Sequence, residues 1–196
     1  MSSTSRNGLL LIGLALAASA LVPGERVLGR SIGIVYLHGG WVWTALAGFA
    51  AAALTGFIGL LLRRETWNCW SIALGQTGAL FWITYLPMSL WAMRATWGGL
   101  YLAEPRWRLG VNFALAALML HAAILLINRP AWASALNLAF FAALSISVAS
   151  TQAVLHPPSP VFSSGSVAVK VGFLTILGLC LGAAYCLARV LHAKHV

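Results

Sequence analysis

Acidic and charged residues are scarce in this 196-residue chain. It has three glutamates (Glu25, Glu65 and Glu104) and no aspartate, and charged residues make up 8% of it. Hydrophobic residues make up 61%, and the mean hydropathy is +0.89. A soluble domain of this size could not cover so much apolar surface with so few polar side chains. The composition therefore excludes a soluble domain and indicates an integral membrane protein.

Cysteine patterns and catalytic motifs are also missing. None of the three cysteines, Cys69, Cys180 and Cys186, has CxxC or CxxCH spacing, so we expect neither a disulfide framework nor a covalent haem site. The chain has no GxSxG and no HExxH motif, and we expect no enzymatic activity. The net charge of +9 resides mainly in short connections, which favours lipid or ligand headgroups as partners and not nucleic acid.

Long apolar runs fill most of the sequence. Runs of about 20 residues match the hydrocarbon core of a bilayer, and in lipid they must be helical because every backbone group needs a partner. We predict an all-α, polytopic membrane protein, a single domain over 1–196 with about six spans. Glycine and alanine in GFAAAALTGFIG and GLCLGAA would allow close helix contacts, and Pro87 should kink the third span. The predicted spans are 8–22, 41–62, 70–90, 109–127, 131–154 and 167–187.

The first span has an alternative interpretation. A short apolar stretch followed by Ala18-Ser19-Ala20 resembles a cleavable signal peptide. Its polar start carries only Arg6, however, and cleavage would leave five spans with the new N-terminus outside. We therefore expect the first span to be retained.

Orientation follows from the connections. With a cytoplasmic N-terminus, the outer connections are long, about 18, 18 and 12 residues, whereas the inner ones are short. The positive-inside bias is weak, with six basic residues inside and five outside, so the outer arginines need another explanation. The inner set is Arg6, Arg63, Arg64, Arg129, Arg189 and Lys194, and the outer set is Arg26, Arg30, Arg94, Arg106 and Arg108.

Each outer connection carries a suggestive segment. The first leads into YLHGGWVW with His38, the second is WGGLYLAEPRWRL (97–109), and the third opens with VLHPPSP, which contains His156. Two histidines at matching depth on different helices could bind one haem iron from both sides. Arginines could bind the propionates in bidentate fashion, and Trp or Tyr faces could stack on the porphyrin.

Simpler interpretations exist for each of these features. An interfacial histidine often pairs with a headgroup or a backbone group. Interfacial Trp and Tyr residues usually belong to the aromatic belt, and outer arginines can hold anionic lipid. The coincidence of histidines, arginines and a glycine-aromatic loop on one face favours haem over the separate explanations.

The order of spans, histidines and the aromatic loop resembles the CcmC/CcsA-like haem-handling proteins of cytochrome c maturation. In that family a tryptophan-rich "WWD" segment reads approximately WGxWWxWDxR. Trp97 and Gly98 match its start, and Tyr101 falls on an aromatic position. Glu104 falls where the family has Asp, and Arg106 where it has Arg. The sequence departs from the family at Leu100 and Ala103, where tryptophans are usual.

The resemblance implies a haem-delivery protein of the bacterial inner membrane with its functional loops on the outer face. His38 and His156 would be the axial ligands of a transiently or weakly bound haem b. Its partners would be membrane lipid, haem, and possible recipients or neighbours such as a periplasmic haem chaperone, apocytochrome c or ABC-type exporter subunits. Residues implied in binding the cofactor are His38, His156, Trp97, Gly98, Tyr101, Glu104, Arg94, Arg106 and Arg108.

Two alternatives stay open for the function. One is a structural or haem-bearing electron-transfer subunit of a larger membrane complex; the other is a small transporter, which the absence of an intramembrane acid disfavours.

Three histidines lie outside the predicted site. We expect His121 to face the bundle interior and bond a neighbouring helix, and His192 and His195 to face solvent or headgroups.

Overall fold

Six α-helices make up the computed structural model, which describes residues 2–22, 28–152, 155, 161–162 and 164–195. No strand occurs among these residues, so the predicted all-α fold is confirmed. The helices extend beyond several of the predicted spans, most clearly at the start of the second and at both ends of the third. They are α1 Ser3–Leu21, α2 Ile32–Leu62, α3 Glu65–Trp97, α4 Pro105–Ile127, α5 Pro130–Ser150 and α6 Val167–His192.

Five of the helices, α1, α2, α4, α5 and α6, are long and apolar enough to cross a membrane. The 33-residue α3 is not in that set, although it contains the predicted span 70–90. Helix α3 packs against α2, α4, α5 and α6, so neighbouring helices cover much of its surface. A helix in this position can carry polar residues that a lipid-facing helix could not.

The helices run up and down through the bundle. Helices α2 and α3 share the most extensive contact, α5 and α6 pack on both, α4 lies on α3 and α5, and α1 lies mainly on α6. Arg63 and Arg64 alone separate α2 from α3, and Asn128 and Arg129 alone separate α4 from α5. We call the end with these two connections the turn end. The opposite end, with described residues 28–31, 98–104 and 161–166, is the loop end.

Glycines allow α2 and α3 to approach closely, as the GFAAAALTGFIG segment predicts. A Cβ atom placed on Gly48 would lie 2.9 Å from Gly78 Cα and 3.1 Å from Gly78 N. In the second predicted segment, on α6, Gly182 lies against Leu11, but Gly178 has no neighbour within 4 Å of such a Cβ. The prediction therefore holds for α2, whereas Gly178 lies on the outer surface of α6.

A buried hydrogen-bond network joins α2, α3 and α5 near the turn end. Ser71 Oγ donates to the carbonyl of Ala52 at 2.7 Å, and Ser134 Oγ donates to Asn68 Oδ1 at 2.7 Å. Asn137 Nδ2 donates to Ser71 O and Ser71 Oγ at 3.0 and 3.1 Å. All four polar side chains are buried. Side-chain hydrogen bonds of this kind add specificity to helix contacts within a membrane.

Candidate functional site

His38 lies near the start of α2, at the loop end of the bundle. Its half-buried ring tilts against the ring of Tyr85 on α3, with centroids 5.7 Å apart. The Tyr85 hydroxyl fills the space in which Gly110 of α4 would carry a Cβ, and the carboxylate of Glu104 interacts electrostatically with it. Three helices thus meet at what we call the His38–Tyr85 cluster: His38, Tyr85, Glu104 and Gly110.

Tyr85 was not identified from the sequence. Its hydroxyl is placed by a long-range contact, and Trp82, one turn earlier on α3, donates from Nε1 to the carbonyl of Gly110 at 3.0 Å. The two rings also meet edge to face at 5.0 Å. The Trp-x-x-Tyr spacing puts both rings on one helix face, but nothing in the sequence shows that α4 covers that face.

Glu104 has a structural role in addition to its predicted place in the haem loop. It is the N-cap of α4, and its Oε2 accepts a hydrogen bond from the backbone N–H of Trp107 at 2.6 Å. Pro105 follows as the first helical residue, where its missing N–H has no cost. The Glu104 side chain is buried, and its Oε1 has no hydrogen-bond partner in the described part of the chain.

The aromatic segment folds as the end of α3, a short loop and the start of α4. Gly98 ends α3 with a φ of +71°, a left-handed conformation that glycine adopts without steric cost. The reversal brings the Tyr101 ring edge to face with Trp97 at 5.8 Å. Tyr101 remains 46% exposed.

The three predicted propionate-binding arginines lie at the loop end. Arg94 and Arg108 are exposed, and Arg106 is half-buried with its Nε atom fully covered. Among the described residues, none of these three guanidinium groups forms a hydrogen bond or an ion pair with a side chain. Arg108 lines a groove of about 390 Å³ between the start of α4 and the end of α5, beside Phe113 and Ser147. Within the described ranges, these three cations thus have no acidic partner.

His156, the second predicted iron ligand, lies outside the described residues. Helix α5 ends at Ser150, at the loop end of the bundle, and His156 follows within a few residues in the sequence. That the two histidines lie at matching depth therefore stays a prediction.

One imidazole, three guanidinium groups and two aromatic rings lie at the loop end of the bundle. Among the described residues, no group of three or more His, Cys, Asp or Glu side chains could hold a metal ion. An imidazole can bind a haem iron, and guanidinium groups can bind the haem propionates. The residues present therefore fit haem b in chemical type.

His121 lies on α4, away from the His38–Tyr85 cluster and nearer the turn end. As predicted, it faces the bundle: its ring contacts the backbone of Gly75 on α3. Both ring nitrogens are buried, but neither has a hydrogen bond of good geometry within the described residues. The predicted bond to a neighbouring helix is thus present only as a loose contact.

The C-terminal tail packs on the turn-end half of α3. The His192 ring stacks on Trp70, with centroids 4.1 Å apart and an interplanar angle of 17°. His195 Nε2 lies 3.4 Å from Gln76 Oε1, although His195 remains exposed. The expectation of a solvent or headgroup environment was therefore wrong for His192, because the last turn of α6 lies against α3.

Docking of the tail should weaken in acid. Partial burial, followed by the charges of His192 and Lys194, lowers the pKa of His195 below its usual 6.5. As the pH falls below 6.5, His195 is protonated more readily in the undocked tail than in the docked tail. Docking is therefore lost as the pH falls through the lowered pKa of docked His195. We expect hydrogen exchange of residues 189–195, corrected for intrinsic rates, to accelerate in acid. A His195→Gln variant should not show this pH dependence, and an identical acceleration in it would contradict the assignment.

Comparison with known proteins gives no assignment: no family model matches this chain, and no curated protein matches it.

Proposed function

We propose that this chain is a haem-handling membrane protein of cytochrome c biogenesis. It holds haem b at the loop end of the bundle, between His38 and His156. The observation that carries the proposal is the clustering of unlike groups at this end. A half-buried imidazole, three arginines that have no side-chain partner among the described residues, and the Trp97–Tyr101 pair come there from α2, α3 and α4.

Each residue has a chemical role in this proposal. Haem supplies an iron that accepts imidazole ligands and two propionates that accept hydrogen bonds. His38 binds the iron, and Tyr85 holds the orientation of its ring. Arg94, Arg106 and Arg108 bind the propionates as charge-assisted hydrogen-bond donors.

The aromatic segment provides stacking and shape. Trp97 and Tyr101 flank the ring face, Gly98 turns the chain, and Glu104 fixes the start of α4 so that Arg106 and Arg108 face the ligand. The role is delivery and not turnover, and the loop end lies on the outer face of the bacterial inner membrane. There a periplasmic haem chaperone, apocytochrome c or an ABC-type exporter complex receives or assists transfer of the haem.

An absorption spectrum tests the proposal. Protein purified in detergent and supplied with haemin should show a Soret band that shifts or disappears in His38→Ala and in His156→Ala. His195→Ala, at the opposite end of the bundle and exposed, serves as the control and should keep the parent spectrum. A parent that stays colourless after addition of haemin, or unchanged spectra in both variants, would refute the site.

A second candidate function is favoured by one observation. The partner of the His38 ring, Tyr85, is 5% exposed and wedged against Gly110, a rigid setting that would also suit a resident haem. The chain would then be a haem-bearing electron-transfer subunit of a larger membrane complex. Transfer of the haem to added apomyoglobin would support delivery, whereas retention with reversible reduction would support the subunit.

A further inference from the structure

A second polar crevice opens at the turn end, on the opposite side of the bundle from the proposed haem site. It has a volume of about 420 Å³. Its walls are the last turn of α2, the first turn of α3 and the first turn of α5. These three segments meet where the two short connections reverse the chain.

Two arginines line this crevice from different connections. Arg63 ends α2 in a left-handed conformation with a φ of 53°, and Arg129 is the N-cap of α5. Both are exposed, and neither forms an ion pair or a side-chain hydrogen bond with another described residue. Guanidinium groups bind phosphate oxygens through forked, charge-assisted hydrogen bonds.

Further donors lie deeper in the same crevice. Asn68 is only 6% exposed, and its Oδ1 is already used by Ser134. Asn68 lines the crevice, and its amide nitrogen donates no hydrogen bond to a described residue. The first turn of α5 adds the N–H groups of Ala131 and Trp132, because Arg129 gives that helix no side-chain cap.

One acid and several apolar residues also line the crevice. Glu65, the first residue of α3, is the single carboxylate on the wall. The crevice therefore has a group that can bind a cation beside the groups that can donate hydrogen bonds to an anion. Leu60 lies on the same wall, and Trp132 is 60% exposed. An exposed tryptophan beside arginines is typical of the interface between headgroups and acyl chains.

We propose that this crevice binds the headgroup of a phospholipid that carries both a phosphate and a primary ammonium group, as phosphatidylethanolamine does. Arg63, Arg129 and the Asn68 amide bind the phosphate, and Glu65 binds the ammonium group. The acyl chains run along Leu60 and Trp132. This site is independent of haem and of the loop end.

Native mass spectrometry of the detergent-purified chain tests the assignment. Phosphatidylethanolamine, phosphatidylglycerol or inorganic phosphate is added at equal concentration, and the bound fraction is measured. The parent should prefer phosphatidylethanolamine. The double variant Arg63→Gln/Arg129→Gln should lose affinity by roughly a hundredfold, because each of the two charged hydrogen-bond donors contributes a factor of about ten.

Two single variants separate the site from general charge. Arg64→Gln removes an arginine from the same connection that does not line the crevice, and it should bind like the parent. Glu65→Gln should reduce the preference for phosphatidylethanolamine over phosphatidylglycerol. Equal binding of both lipids by the parent, equal losses in Arg64→Gln and the double variant, or displacement of lipid by inorganic phosphate would overturn the proposal. The lipid preference of the parent is measured without any variant, so a folding defect cannot obscure it.

Discussion

Replacing Gly48 with leucine is expected to prevent α2 and α3 from docking. A Cβ at this position already approaches Gly78 Cα to 2.9 Å and Gly78 N to 3.1 Å, and these are backbone atoms that cannot turn aside. Every further carbon of leucine would force the two helices apart. Since α2 and α3 are the most extensively packed pair and hold α5 and α6, the whole bundle should loosen.

The expected loss is large for a single substitution. Overpacking a well-filled interface costs about 1–3 kcal/mol when side chains can adjust, and here no side chain can. We expect a loss at the top of that range or beyond it. Unfolding in mixed detergent, followed by circular dichroism, would measure it, and size-exclusion chromatography would report aggregation.

Gly178→Leu is the matched control for this prediction. Gly178 lies within α6 and is exposed, and a Cβ atom added there would have no neighbouring heavy atom within 4 Å. Leucine there faces outward and favours the helix more than glycine does, so stability should stay the same or increase. Equal destabilisation by the two substitutions would show that close helix approach is not what Gly48 provides.

The helices were predictable from the sequence because apolar runs and short breaks identify them directly. The RRETWNC and NRP segments predict two short connections at the correct places, but the connections are shorter than predicted: Glu65 already begins α3, and Pro130 begins α5. The ends of α3 were harder to predict, because its outer turns carry polar and aromatic residues that interrupt the apolar run, among them Glu65, Trp91 and Arg94. Pro105 could have indicated that α4 begins before 109, since proline is favoured in the first turn.

The candidate site was predictable only in part. Sequence order places His38 and the segment 97–109 at one end of the bundle, and the structure has them there. Contacts that join different helices could not be read in this way. Tyr85 acquires its place because Gly110, on another helix, leaves room for its hydroxyl, and the Asn and Ser residues of the buried network are single polar residues within apolar helices.

The second large loss of stability is expected for Asn137→Asp, a substitution in the buried hydrogen-bond network. Asn137 is 3% exposed and donates from Nδ2 to two oxygen atoms of Ser71. Aspartate has nearly the same shape but replaces this donor with an oxygen that faces the Ser71 carbonyl. An unpaired buried charge costs about 3–5 kcal/mol, so the variant should be strongly destabilised at neutral pH.

Asn137→Leu separates the loss of a hydrogen bond from the burial of a charge. Leucine is similar in size and removes both donor contacts without adding a charge, and Ser71 Oγ keeps its bond to the carbonyl of Ala52. Hydrogen bonds between membrane helices contribute about 0.6 kcal/mol on average, so the loss should be about 1 kcal/mol.

The same detergent unfolding assay compares the two variants. The aspartate variant should recover stability in acid, because a protonated carboxyl group can again donate to Ser71, whereas the leucine variant should show no such recovery. Equal losses at every pH would mean that Asn137 acts through its shape and not through its hydrogen bonds.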